Sequence, residues 1–154
     1  MGGGGQQQLQ QLSQELQAID EEIEELETDV ADLEQEKEEI DEAVEAIETL
    51  ESGSTVQVPL GGGAYLRAEV QDIDEVIVDL GGNYAAEQEQ NDAIEALRVK
   101  QDSLDERIAE VRGEIEDLEE ESSELEQQAQ QMQQQMQQQQ MQQMQGMQGD
   151  EDGE

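Results

Sequence analysis

Three stretches of this sequence carry residue types that could do chemistry. The first is Asp72-Ile73-Asp74-Glu75, whose alternating carboxylates suit the opening of a calcium loop. Such a loop needs glycine at its sixth position and a glutamate at its twelfth. Here those positions hold Ile77 and Asn83, so no metal site is expected. The second is Gly61-Gly62-Gly63, a possible phosphate cradle. It leads into the strand-like "AYL" rather than a helix N-terminus, and no Lys-Ser/Thr pair follows it, so no nucleotide or other cofactor is expected. The third is a row of methionines, Met132, Met136, Met141, Met144 and Met147, set in glutamine. A thioether on a flexible, unbranched stem adapts to many apolar shapes, so its chemistry is recognition rather than catalysis.

The rest of the composition points the same way. Cysteine and histidine are absent, which removes thiolate nucleophiles, zinc–sulfur sites and the commonest general base. Carboxylates are abundant, but nothing places one in an apolar pocket that would raise its pKa. The chain is not expected to be an enzyme. Its 154 residues carry 43 Asp and Glu against six Lys and Arg, a formal charge of −37. Phosphate backbones and anionic lipid repel such a chain, so neither nucleic acid nor a membrane is an expected partner. No apolar run approaches membrane-spanning length and "MGGGGQQQ" has no apolar signal core, so a soluble, cytoplasmic protein is expected. A salty cytosol would screen the self-repulsion over a few ångströms.

Two long segments must position these residues. From Leu9 the apolar residues step by three and four through Leu12, Leu16, Ile19, Ile23, Leu26, Val30 and Leu33, then Lys37, Ile40, Val44 and Ile47. The same period runs from Ile94 through Leu97, Gln101, Leu104, Ile108, Val111, Ile115, Leu118, Ser122, Leu125, Ala129, Met132 and Met136. These are heptads, and Glu, Gln and Asp fill the positions between them. Folded back with Ile47 opposite Ile94, every core layer pairs an a position with a d position, and Leu9 meets Met132; a slip of one heptad would also satisfy the period. Lys37, Gln101 and Ser122 read as register-fixing polar residues, Lys37 reaching past apolar surface to the acidic flank. Glu36 and Arg107 could face each other across the helices. Outside the heptads the flanks show little that is apolar beyond Ala18, Ala43 and Ala46.

Between the helices, "TVQVPLGGGAYLRAEV" and "EVIVDLGGNYAAE" each read as strand, glycine turn, strand. Val56, Val58 and Leu60 share a face with Leu66 and Val70, while Val76, Val78 and Leu80 share one in the second hairpin. Tyr65 and Tyr84 follow the turns. The bridge Gln71–Asp74 is expected to be exposed apart from Ile73. Hairpins of this length cannot bury a core alone, and they leave unpaired edges. They are therefore expected to join strands of other subunits in a shared sheet or barrel, the alternative being a local β cap on a monomeric chain.

With "VPLGGGAYL" and "VIVDLGGNYAAE" between two heptad runs, residues 8 to 136 resemble the prefoldin family, in particular archaeal alpha subunits, and the acidity fits a haloarchaeal member. The resemblance implies a hexamer of two alpha and four beta subunits on a double β-barrel platform. It also implies ATP-independent capture of unfolded polypeptide clients and their delivery to a group II chaperonin. The resulting expectation is a mainly α chain with a small β insert: a long antiparallel two-helix coiled coil with two β-hairpins at its hinge. Residues 1–7 form a flexible start, 8–51 the first helix, 52–86 the assembly hairpins, 87–136 the second helix and 137–154 a disordered tail.

In that register Met136 and everything after it overhang the first helix. Client binding is expected at this tip, on Leu9, Leu12, Leu16, Ala129, Met132, Met136, Met141, Met144 and Met147. Beyond Gln137 the alternative is a tract that merely solubilises. For the whole chain the alternative is a structural coiled-coil spacer that oligomerises and binds no client.

Overall fold

The computed structural model describes residues 3–82 and 84–151, with side chains for 4–82 and 84–146. Helix α1 spans Gly3–Thr49 and helix α2 spans Gln90–Glu151. Between them lie β1 (Thr55–Gly61), β2 (Ala64–Glu69), β3 (Val76–Gly81) and β4 (Tyr84–Gln88). The helices are antiparallel, as expected. Both are longer than their heptads required. Helix α1 starts at Gly3 rather than near Gln8. Helix α2 does not end at Met136 but continues through residues 137–151, the segment whose composition reads as disordered. Gln and Met are good helix formers, no proline intervenes, and the first glycine there is Gly146.

The chain forms two compact units, residues 1–29 with 111–154 and residues 30–110. In the first, Ile19 and Val111 are buried. The other heptad residues, Leu9 to Leu26 on α1 and Ile115 to Met136 on α2, are half-buried. In the second, Ile40, Val44, Val78, Ala93 and Ile108 are buried, and the remaining heptad positions are half-buried. Every position read as core is covered at least in part. A two-helix coil has only one seam, which is why most of its core residues keep one side in solvent.

The register also agrees. A Cβ built on Gly5 would sit 3.3 Å from Met136 Sδ. Gln101 Nε2 donates to Asp41 Oδ1 at 2.8 Å, and Lys37 pairs with Asp105. All three contacts fit Ile47 opposite Ile94, and a one-heptad slip would miss them. The polar core residues thus form one cluster. Gln101 also donates to the Lys37 carbonyl at 3.3 Å, and Arg98 pairs with Asp41 at 2.8 Å. Arg107 does not reach Glu36; it pairs with Glu110, one turn along its own helix, at 3.3 Å. Residues three apart on one helix are surface neighbours, which favours this pair.

This cluster predicts a pH signature. The hydrogen bond from Gln101, then that from Arg98, holds the Asp41 carboxyl below its ordinary pKa of 3.8. The hydrogen bond to Asp105 holds the Lys37 ammonium above its ordinary 10.5. A lowered acid stabilises the fold above its unfolded value and loses that contribution as pH falls through the folded value. A raised base contributes below its unfolded value and loses it as pH rises through the folded one. Both contributions are therefore present between about pH 4 and 10. Bulk acidification also relieves the repulsion among carboxylates, so the signal must be read as a difference. The melting temperature of Asp41→Asn should lie below that of the natural chain at pH 6, and the two should converge below pH 3.8. A gap that persists unchanged at pH 2 would show that the Asp41 charge is not what holds it.

Where the helices meet the hairpins, side chains close the backbone. Gln90 Nε2 donates to the Ile47 carbonyl at 2.7 Å and the Leu50 carbonyl at 3.4 Å, groups that the end of α1 leaves without helical partners. Asp74 Oδ1 accepts from the Gln90 N–H at 3.4 Å, and Asp92 places a carboxylate in the first turn of α2, where the helix dipole favours it. Ser52 Oγ accepts from the Ile73 N–H at 3.1 Å, tying the bridge between the hairpins to the end of α1. Ile73 is half-buried and its neighbours in that bridge are exposed, as expected.

The two hairpins are built alike. β1 pairs antiparallel with β2, and β3 with β4. In each, the register shifts at the glycine opening the turn, Gly61 (φ 97°) or Gly81 (φ 93°). No atom lies within 4 Å of a Cβ built at either position. Backbone conformation, not crowding, therefore asks for glycine there. The tyrosines, alike in sequence, differ in register: Tyr65 is opposite Pro59, whereas Tyr84 is opposite Gly81. One residue of offset reverses the face of a strand side chain.

Candidate functional site

The first group of expected site residues lies at the end of the first unit where α1 begins. Leu9, Leu12, Leu16, Ala129, Met132 and Met136 are half-buried. Two grooves run along this end. One of about 340 Å³ is lined by Leu12, Glu15, Met132 and glutamines including Gln8 and Gln131. The other, about 600 Å³, takes in Gly5, Met132, Met136 and Gln139. Met136 does not overhang α1, contrary to the sequence expectation, because α1 starts early enough to set Gly5 against it. Glycine's missing side chain is what admits the thioether. The free methionines are further out: Met141 is 69% exposed and Met144 73%. Met147 lies on α2, but its side chain is outside the described residues.

The second group lies on the hairpins. Val78 is buried, and Val56, Val70 and Val76 are half-buried. Val58, Leu60, Tyr65, Leu66, Leu80 and Tyr84 are exposed. Among the described residues the sheets are two separate two-stranded ladders. Each hairpin thus presents open edges and uncovered apolar side chains. Sequence reasoning missed Ile77, which is 74% exposed on the face opposite Val76 and Val78. A run of consecutive apolar residues, Val76-Ile77-Val78, was the available signal, since both faces of such a strand are apolar. It also missed Val99, an exposed apolar residue on a flank of α2, which lines a groove with Leu80, Ala96 and Leu104. Its signal was a β-branched residue between the core positions Leu97 and Gln101.

Among the described residues no group of His, Cys, Asp or Glu could hold a metal ion. No described helix is long and apolar enough to cross a membrane. Two heptad helices joined through hairpins with uncovered apolar faces define a coiled-coil subunit of a larger assembly. The family model for prefoldin subunits matches residues 6–142. The prefoldin subunit alpha of Halorubrum lacusprofundi is 72% identical over 112 residues, which cover 73% of this chain and 74% of that one. That of Haloquadratum walsbyi is 69% identical over 105 residues, 68% of each chain. That of Halobacterium salinarum is 64% identical over 111 residues, 72% of each chain. The chain belongs to the prefoldin family of non-enzymatic chaperone subunits, and within it to the alpha subunits.

Proposed function

We propose that this subunit captures unfolded polypeptides at the methionine-bearing end of its coiled coil, without ATP, and passes them to a group II chaperonin. It does so in the cytoplasm, within a hexamer of two alpha and four beta subunits whose strands form the platform. The observation that carries the capture step is the exposure of Met141 and Met144 beyond the grooves that contain Met132 and Met136. A spacer has no use for unpaired apolar side chains on its outermost turns. Flexible thioethers there suit weak, adaptable contacts, and several subunits gripping one client raise avidity by orders of magnitude without any strong single contact. The hairpins support the assembly step, since open edges and apolar faces need strands from neighbours.

Truncation after Gln131 in the assembled complex tests the capture step. Light scattering of a client diluted from denaturant should show most of the suppression of aggregation lost, while the complex sediments as before. Undiminished suppression by the truncated complex would overturn the assignment of capture to this end.

A further inference from the structure

The capturing end is distinguished by charge as well as by methionine. Residues 1–14 and 127–149 contain no charged side chain, in a chain whose formal charge is −37. These two segments are remote in sequence, and the fold sets Gly5 of the first against Met136 of the second. Stepping inward from the Gly5–Met136 contact by ten residues on each helix brings Glu15 level with Glu126. Glu15 is the first charged residue of α1, and Glu126 is the last of α2 before the methionines. Both helices therefore lose their charge at one level, and on α2 it returns at Asp150 and Glu151. Above it, flank positions hold glutamine, as in Gln133–Gln135 and Gln137–Gln140. Below it, they hold glutamate, as in Glu119–Glu121.

Helix formation does not explain the change, because Gln and Glu have nearly equal helix propensity and nearly equal size. Nor does a merely solubilising tract explain it, since such a tract on α2 would not require α1 to become neutral at the same level. The exchange alters charge alone. Ten residues of helix set Met136 about 15 Å from the level of Glu126. That is nearly two Debye lengths at physiological ionic strength and about five in 1 M salt.

We propose that this uncharged band, between the level of Glu15 and Glu126 and the acidic residues that begin at Asp150, is built to hold acidic non-native polypeptide, selecting clients by their apolar side chains while imposing little penalty for the carboxylates beside them. This rests on the capture reading above and names the client class. Outward of Glu15 and Glu126, in the groove around Met132 and Met136, a client segment carrying Asp or Glu meets thioethers and amides, whereas along the Glu-rich heptads it would meet like charge. The uncharged amides of the lining also offer donors and acceptors to an unfolded backbone.

The test uses the assembled complex and two permanently unfolded probes with identical apolar residues, one interspersed with Asp and Glu and one with Ser. Gln133→Glu, Gln137→Glu and Gln138→Glu together restore charge on exposed flanks outside the two grooves. The variant should bind the acidic probe about tenfold more weakly at low salt, with most of the loss recovered in about 2 M KCl, and the serine probe within about twofold of the natural complex. Equal weakening for both probes, no weakening for either, or failure of the natural complex to bind the acidic probe would each overturn the proposal. A second variant separates this from the capture reading. Met132→Ser, Met136→Ser, Met141→Ser and Met144→Ser together should weaken both probes. If they weaken neither, capture at this end is itself wrong. If they weaken both while the glutamates discriminate neither probe, only the charge proposal falls.

Discussion

Val44→Asp is expected to destabilise the coiled coil by about 3 kcal/mol or more, and Ala46→Asp by less than about 1 kcal/mol. The two substitutions add the same negative charge, two residues apart on the same helix. Val44 is 1% exposed and level with Leu97, one turn from Ile40 and Ile47, whereas Ala46 is exposed. A carboxylate at Val44 would lose its water, and the layer would lose the burial of a valine side chain, itself worth about 1.5–3 kcal/mol. At roughly 2–4 °C per kcal/mol for a chain of this size, Val44→Asp should melt 6 °C or more below the natural protein. Circular dichroism melts at one fixed concentration and salt would show this, because assembly makes the midpoint concentration-dependent. Equal midpoints for the two variants would mean that added charge, not lost burial, governs stability.

The outcome bears on how so acidic a chain folds at all. A formal charge of −37 opposes bringing two helices together, and against it stand a few ion pairs such as Lys37–Asp105 and Arg98–Asp41. Exposed pairs of that kind contribute little on average. The repeated burial of Leu, Ile and Val along the seam must therefore carry most of the association, with salt screening reducing what it works against.

Much of this was legible in the sequence because the heptad period is redundant. Twelve successive α1 positions from Leu9 to Ile47 obey it, and one polar exception such as Lys37 cannot hide it. The hairpins were legible because Gly61 and Gly81 punctuate apolar runs at positions where the backbone turns with positive φ. What period and punctuation do not encode was harder to see. The start of α1 depends on glycines, poor helix formers whose smallness against Met136 becomes an asset only once α2 is in place. The helix through residues 137–151 is a matter of propensity, whereas low complexity describes only repetition. Ile77 and Val99 escaped because each lies off the face that its pattern assigns to the core, and only burial in the folded chain shows which apolar residues stay uncovered.

Those uncovered residues set the second large effect. Leu66→Asp combined with Ile77→Asp is expected to weaken association of this subunit with its partners by about 100- to 10,000-fold. Leu66 is 55% exposed on the first hairpin and Ile77 74% exposed on the second, so neither contributes much to the fold of the single chain. If both become buried between strands of neighbouring subunits, each loses about 1.5–3 kcal/mol of apolar burial, and each 1.4 kcal/mol is tenfold in affinity. A carboxylate in their place must also be desolvated in a β layer or hold the layer apart. The helices should be unaffected, so the circular dichroism of the variant should match that of the natural chain. Sedimentation velocity of the subunit co-produced with beta subunits in high salt should then show the variant mostly as free chains. An unchanged boundary at the size of the complex would place the subunit contacts elsewhere, with the groove between Leu80 and Val99 as the next surface to probe.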